Sequence, residues 1–182
     1  MNKVLIVYGT RYGAAASTSE EIAKVLRQEG LDARVVNAKD EKIKDVAEYD
    51  LVVAGSGIQI GRWTGEPEAF LKKFQKQLVA KKVALFVCCG SASSEAKPGV
   101  AERARRKYLE EKAAKYGLHP VALGLFGGVY NYNTVPWWAK KGMKADRPRV
   151  AAAHKESEPG VYDTRDWEAI RTWAKELAPK VL

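Results

Sequence analysis

The chain has 182 residues, of which 46% are hydrophobic and 29% are charged, and this composition is that of a soluble globular protein rather than a disordered one. No apolar run approaches the roughly 20 residues that span a bilayer, and no signal-peptide cleavage site follows Lys3, so we expect a cytoplasmic protein. The formal net charge of +9 favours an anionic partner.

The two cysteines, Cys88 and Cys89, are adjacent in an apolar run. On a strand their side chains would point to opposite faces, which argues against a disulfide between them. The chain has only two histidines, so few residues are available for a Cys/His metal site.

Five short segments are rich in Val, Leu, Ile or Phe and mostly lack clean alternation of polar and apolar residues. This pattern is typical of strands that are buried on both faces of a parallel sheet. The predicted strands are Lys3–Tyr8, Ala33–Val36, Leu51–Gly55, Val83–Cys89 and Val121–Phe126.

Helical patterns separate these strands. The first follows Ser17 and Thr18, with capping-box spacing from Thr18 to Glu21 and a natural stop at Gly30. The others are "EPEAFLKKFQKQL", the stretch Pro98–Tyr116, and "DTRDWEAIRTWAKEL" near the end of the chain. The alternation predicts an α/β fold: a flavodoxin-like, doubly wound, five-stranded parallel sheet of order 2-1-3-4-5 with helices on both faces.

A long basic insertion is predicted at about 131–162, before the C-terminal helix of a single domain, 1–182. Between Asn133 and Lys155 there are six basic residues and one acidic residue, which supply +5 of the total charge. The pattern of the segment predicts an irregular structure, and Pro148 interrupts it. Irregular segments of this length are usually functional or disordered.

The turn after the first strand, in "VLIVYGTRYGAAAST", combines small and hydroxylated residues. Ligands of doubly wound sheets bind where the strand order reverses, and free backbone N–H groups at a helix start attract a phosphate. The residues that suit this role are Thr10, Gly13, Ala14, Ala15, Ser17 and Thr18. An ordinary strand-to-helix connection is the alternative. The spacing matches neither G-x-G-x-x-G nor a P-loop, which disfavours dinucleotide-binding and NTPase folds.

Two further strand ends lead into loops of similar composition. "GSGIQIGRW" follows the third strand and "CCGSASSEAKPG" follows the fourth. Together the three loops predict a phosphate site beside a flat slot for an aromatic ring. The alternative for Trp63 is an aromatic side chain that covers the core.

In chain order, "YGTRYG", "GSGIQIGRW", "LFGGVYNY" and "DTRDWEAIRTWA" resemble the flavodoxin-like family that includes menaquinone-dependent protoporphyrinogen oxidase. The resemblance covers nearly the whole chain. It implies FMN as the cofactor and oxidation of protoporphyrinogen IX with electrons passed to a quinone. The alternative is a flavodoxin-type protein that shuttles electrons between redox partners without a substrate of its own.

The resemblance also implies cofactor-binding residues in four groups. The phosphate turn comprises Thr10, Arg11, Tyr12, Gly13, Ala14 and Ala15, with Ser17 and Thr18 as further hydroxyl donors. The first flavin loop comprises Ser56, Gly57, Ile58, Gln59, Ile60, Gly61 and Trp63; the second comprises Cys89, Gly90, Ser91 and Ala92; and Gly127, Gly128, Tyr130 and Tyr132 close the pocket. Two features depart from the family: Ala15 stands where Thr is common, and the basic insertion replaces a segment with an apolar helical stretch.

The basic insertion is the predicted partner surface. Its lysines, with two adjacent tryptophans, suit an acidic redox partner or an anionic, porphyrinogen-like substrate. The residues are Trp137, Trp138, Lys140, Lys141 and Lys144. A quinone, a membrane surface and a solvated loop without a role are alternatives, whereas nucleic acid is disfavoured because nothing else resembles a reading module.

Overall fold

The computed structural model describes residues 1–93 and 97–181. Five of its strands form a parallel sheet in the order β2-β1-β3-β5-β6, and β4 pairs antiparallel with the end of β3. The strands of this sheet are β1 (Lys3–Gly9), β2 (Asp32–Asn37), β3 (Leu51–Gln59), β4 (Arg62–Trp63), β5 (Lys82–Cys88) and β6 (Ala122–Phe126). Counting the parallel strands alone, this is the predicted order 2-1-3-4-5, which is confirmed.

Helices cover both faces of the sheet because its strands are apolar on both sides. On β1, Val4 and Ile6 belong to one core cluster while Leu5 and Val7 belong to the other, and all four are fully buried. The first cluster includes α1 (Ala14–Gln28) and α6 (Trp167–Val181); the second includes α2 (Gly65–Leu78) and a helical segment composed of α3 (Val100–Arg105), a π-helical turn (Arg106–Glu110) and α4 (Glu111–Lys115).

Helix α1 begins at Ala14, so the prediction that it begins after Thr18 is wrong. Gly13 precedes it in the left-handed conformation, with φ of 88°, which lets the chain turn directly into a run of alanines that favour helix. Thr18 is a fully buried helical residue rather than a cap. At the other end Gly30 stops the helix as predicted, with φ of 85°.

Phe86 sits in the centre of the sheet between two glycines. In the register of the strands, Gly55 on β3 and Gly124 on β6 are its direct neighbours. A Cβ atom on Gly55 would lie 2.1 Å from the Phe86 ring, and Phe86 itself is fully buried. The ring therefore occupies space that a side chain on the neighbouring strand would otherwise fill.

The basic insertion is ordered as secondary structure, which corrects the prediction of an irregular segment. Strands β7 (Val129–Asn131), β8 (Glu156–Glu158) and β9 (Val161–Asp163) form a small antiparallel sheet of order β7-β9-β8. Helix α5 (Lys140–Ala153) continues through Pro148. A proline removes one helical hydrogen bond, and the fully buried Val150 anchors the helix beyond it.

Candidate functional site

The carboxyl ends of β1, β3 and β5 open into a cavity of about 280 Å³, close to the lower end of the ~300–1,000 Å³ typical of small-molecule sites. The cavity contains residues from all four groups predicted from the sequence. Those that line it are Thr10, Arg11, Tyr12, Ala14, Gly57, Ile58, Gln59, Ile60, Cys89, Gly90, Gly128 and Tyr130, together with Trp138 of the insertion.

The turn from Thr10 to Ala14 presents hydrogen-bond donors to this cavity. The Oγ1 atom of Thr10 accepts the N–H of Gly13 at 2.8 Å, which leaves the hydroxyl hydrogen for another acceptor. The amides of the first helical turn have no carbonyl partner within the helix, and this turn of α1 contains no acidic residue. The donor set and the helix dipole both suit a phosphate group.

Ser17 and Thr18 support this turn from behind instead of lining the cavity. The Ser17 hydroxyl lies 3.2 Å from the carbonyl oxygen of Gly13, to which it donates, and it accepts a hydrogen bond from Nη1 of Arg165 at 2.6 Å. The Thr18 hydroxyl accepts from Arg165 at 3.3 Å and from the Cys88 thiol at 3.4 Å. Both hydroxyls therefore form hydrogen bonds within the protein and do not face the cavity. Gly13 and Ala15 likewise belong to the turn without being among the lining residues.

One lip of the cavity is a strained hairpin turn. Ile60 and Gly61 connect β3 to β4, and both have positive φ angles, 49° and 67°, as a type I′ turn requires. A β-branched residue is unfavourable in this conformation, and Ile60 is 72% exposed. A strained and exposed apolar side chain beside a cavity is typical of a ligand-binding position.

Another part of the lining depends on a close approach between Gly90 and Tyr130. A Cβ atom on Gly90 would lie 1.9 Å from the Tyr130 hydroxyl oxygen, so only glycine admits the ring in this position. The Tyr130 ring stacks on that of Tyr132, with the centroids 6.2 Å apart and an interplanar angle of 11°. Tyr130 and Ile60 thus supply an aromatic and an aliphatic side chain to the lining, and side chains of these kinds suit a flat aromatic ring.

Several predicted residues lie outside the cavity lining. Trp63 is 5% exposed and packs in the core, where its indole N–H donates to the carbonyl oxygen of Tyr108 at 2.9 Å, so the core-covering alternative describes its position. Ser56 is buried, and its Oγ accepts the N–H of Thr64 at 2.9 Å. The others are Gly61, Ser91, Ala92, Gly127 and Tyr132. Residues 94–96 of the predicted second loop lie outside the described residues.

The insertion supplies lining residues that the sequence analysis missed. They are Val135, Pro136, Ala139 and Met143, and Thr64 and Cys88 were missed as well. Val129 and Asn131 of β7 also line the cavity, within the segment Gly127–Tyr132 that was predicted to close it. Only the mixture of small and apolar residues between Val135 and Met143 could have signalled a cavity wall. Trp137 and the three lysines of the predicted partner surface do not line the cavity, and Trp137 is 83% exposed.

The two cysteines are buried free thiols in the lining of this cavity. Burial raises the pKa of Cys88 to about 12 and that of Cys89 to about 11, so both are protonated at neutral pH and neither is a nucleophile. Among the residues that the structure describes, no cluster of His, Cys, Asp and Glu could hold a metal ion. Nor does any helix within this part of the chain have the length and apolar character to cross a membrane.

A model of the Flavodoxin domain family matches residues 5–151. The protoporphyrinogen IX dehydrogenase [quinone] of Escherichia coli (strain K12) is 26% identical over 183 aligned positions, covering 97% of this chain and 94% of that protein. A short-chain flavodoxin associated with a non-canonical PDU bacterial microcompartment superposes with a TM-score of 0.61 at 12% identity, with full coverage of both chains. Rubredoxin oxygen:oxidoreductase of Desulfovibrio gigas superposes with a TM-score of 0.59 at 17% identity. The superposition covers all of this chain but only 36% of the Desulfovibrio protein. The two structural likenesses show the fold.

Proposed function

The chain belongs to the Flavodoxin domain family, and on that premise we propose that it is an FMN-dependent oxidoreductase that oxidises protoporphyrinogen IX and passes the electrons to a quinone. Membership of the family implies a flavin cofactor, typically FMN. The observation that carries the proposal is the cavity, whose lining combines the Thr10 hydroxyl and the start of α1 with the apolar side chains of Ile58 and Ile60.

The lining residues suit the two ends of FMN. The Thr10 hydroxyl and the amides of the first turn of α1 would bind the phosphate, while Ile58, Ile60 and Tyr130 would contact the flat ring. When bound, FMN supplies the redox chemistry. The chain itself needs to bind and orient the ring, shield it from water, and leave one side open to a partner.

The choice of substrate rests on the relative from Escherichia coli and on the charge of the insertion. Lys140, Lys141 and Lys144 are exposed at the start of α5, on the segment that also supplies Met143 and Trp138 to the cavity. Protoporphyrinogen carries two propionate groups and a large apolar macrocycle. Lysines beside an apolar entrance suit that combination, and they equally suit an acidic redox partner.

Turnover of protoporphyrinogen IX by the FMN-loaded chain, with a soluble quinone as the acceptor, tests the proposal. We expect porphyrin fluorescence to appear only when protein, substrate and quinone are all present, at a rate above that of free FMN. A chain that is reduced and reoxidised by a redox-partner protein but gives no porphyrin would instead be a flavodoxin-type electron carrier.

Replacing Lys140, Lys141 and Lys144 together with Gln is expected to slow the reaction with the anionic partner and to flatten its dependence on ionic strength. Exposed charges act on a partner at long range and are screened by salt, with a Debye length of about 8 Å at 0.15 M. FMN affinity should stay within about twofold, because none of the three lines the cavity.

The matched control replaces Lys72, Lys76 and Lys175, which are exposed on α2 and α6, and so makes the same change in net charge elsewhere. The rates should be measured by stopped flow between low and high salt. Equal salt dependence in the two triple variants would mean that the insertion is not the partner surface.

A further inference from the structure

Arg165 lies directly behind the first turn of α1 and is almost completely buried. Its side chain is 6% exposed. Its Nη1 atom donates to the carbonyl oxygen of Ala14 at 2.9 Å and to the hydroxyls of Ser17 and Thr18 at 2.6 and 3.3 Å. One nitrogen of a single buried guanidinium therefore contacts three residues of the turn that begins the helix.

The rest of the guanidinium faces a carboxylate on the other side. Nε and Nη2 of Arg165 donate to the two oxygens of Asp163 at 2.9 and 2.8 Å, and the cation also lies 4.3 Å from the centre of the Trp167 ring. Burial acts to raise the pKa of Asp163, but the hydrogen bonds from Arg165 outweigh it and hold the pKa below its usual value. Because the anion lies on one side, the ion pair is a dipole whose positive end points at α1.

The hydrogen bonds continue from Arg165 to the cavity itself. The Ser17 hydroxyl, which accepts from Arg165, donates to the carbonyl oxygen of Gly13, and the N–H of Gly13 donates to the Thr10 hydroxyl that lines the cavity. Three hydrogen bonds thus connect a buried cation to the side chain that would contact a phosphate. Apolar residues often replace buried ion pairs without loss of stability, so stability alone does not explain why Arg165 is buried beside Asp163.

We propose that Arg165 is a positioning residue for the cofactor phosphate: it holds Ser17, Gly13 and Thr10 in the binding arrangement and directs positive charge into the turn from behind. The inference rests on the proposed function, because it presupposes that this cavity holds FMN.

The test compares Arg165→Gln with the matched variant Arg171→Gln. Arg171 also belongs to the C-terminal part of the chain and also pairs with α1, through Glu21 at 2.5 Å, but at a position further along the helix. Each apoprotein is titrated with FMN and with riboflavin, which lacks the phosphate, and binding is followed by quenching of flavin fluorescence.

We expect Arg165→Gln to weaken FMN binding by about 10- to 100-fold, the usual effect of a lost hydrogen-bonded charge, and riboflavin binding by less than about threefold. Arg171→Gln should leave both affinities within about twofold, because exposed ion pairs contribute little. Arg165→Lys, which keeps the charge but loses the planar fork, should fall between wild type and Arg165→Gln.

Equal losses for FMN and riboflavin in Arg165→Gln would overturn the inference, since the residue would then only support the fold. If Arg165→Gln left both affinities at the wild-type values, the inference would also be overturned, while the proposed function would stay intact. If the wild-type chain itself bound no flavin, the proposed function would fail and this inference with it.

Discussion

Gly55→Ala is expected to lower the free energy of unfolding of the apoprotein by about 3 kcal/mol, at the upper end of the usual cost of overpacking a core. The new methyl group would lie 2.1 Å from the Phe86 ring, which is fully buried and has no open space to move into without disturbing Phe126 and Trp173. Urea denaturation followed by far-UV circular dichroism gives the free energy.

Gly57→Ala is the matched control, because the two glycines lie two residues apart on β3 and face the same side of the sheet. A Cβ atom on Gly57 would have no atom within 4 Å, so this variant should change the free energy of unfolding by less than about 0.5 kcal/mol. Similar effects of the two substitutions would contradict the packing of Phe86 between glycines.

Thr10→Ala is expected to weaken FMN binding by about 10- to 100-fold while changing riboflavin binding by less than about threefold, because a hydrogen bond to a charged phosphate is worth about 1.5–3 kcal/mol. The substitution also removes the acceptor of the Gly13 N–H, which loosens the turn that holds the other donors. Fluorescence titration of the apoprotein with each flavin measures both affinities.

Thr10→Ser serves as the control, since it keeps the hydroxyl and loses only a methyl group, and it should stay within about fivefold of wild type for FMN. If the alanine variant lost affinity for FMN and riboflavin alike, Thr10 would act on the shape of the cavity and not on the phosphate.

The parallel sheet was predictable because its strands are apolar on both faces. Val4, Leu5, Ile6 and Val7 are all fully buried. A short run of successive apolar residues is typical of a strand in a parallel sheet that helices cover on both faces. The glycines that the ring of Phe86 requires were not predictable. Gly55 and Gly124 lie 31 and 38 positions from Phe86, and only the strand register brings them together.

The start of α1 was predicted five residues too late for a similar reason. Thr18 and Glu21 have the spacing of a capping box, but the Thr18 hydroxyl bonds instead to Cys88 and Arg165, which are 70 and 147 positions away in the chain. Long-range contacts of this kind override a local signal. They also explain why Ser17 and Thr18, which have suitable hydroxyls, do not face the cavity.

The loop residues show a further limit of motif-based prediction. Within "GSGIQIGRW", Gly57 to Ile60 line the cavity, whereas Trp63 enters the core and bonds to Tyr108, 45 positions away. In the insertion, Pro148 suggested a broken segment. The chain instead forms a helix of 14 residues, and the fully buried Val150 anchors it beyond the proline.

The most direct test of the central claim, that this cavity binds FMN, is a titration of the apoprotein with FMN, FAD and NAD, monitored by flavin fluorescence and calorimetry. We predict one FMN per chain, bound more tightly than FAD and with NAD not bound, because one turn suits a phosphate and the sequence contains no second pyrophosphate or ribose motif. Tighter binding of FAD than of FMN, or no flavin binding at all, would contradict the account.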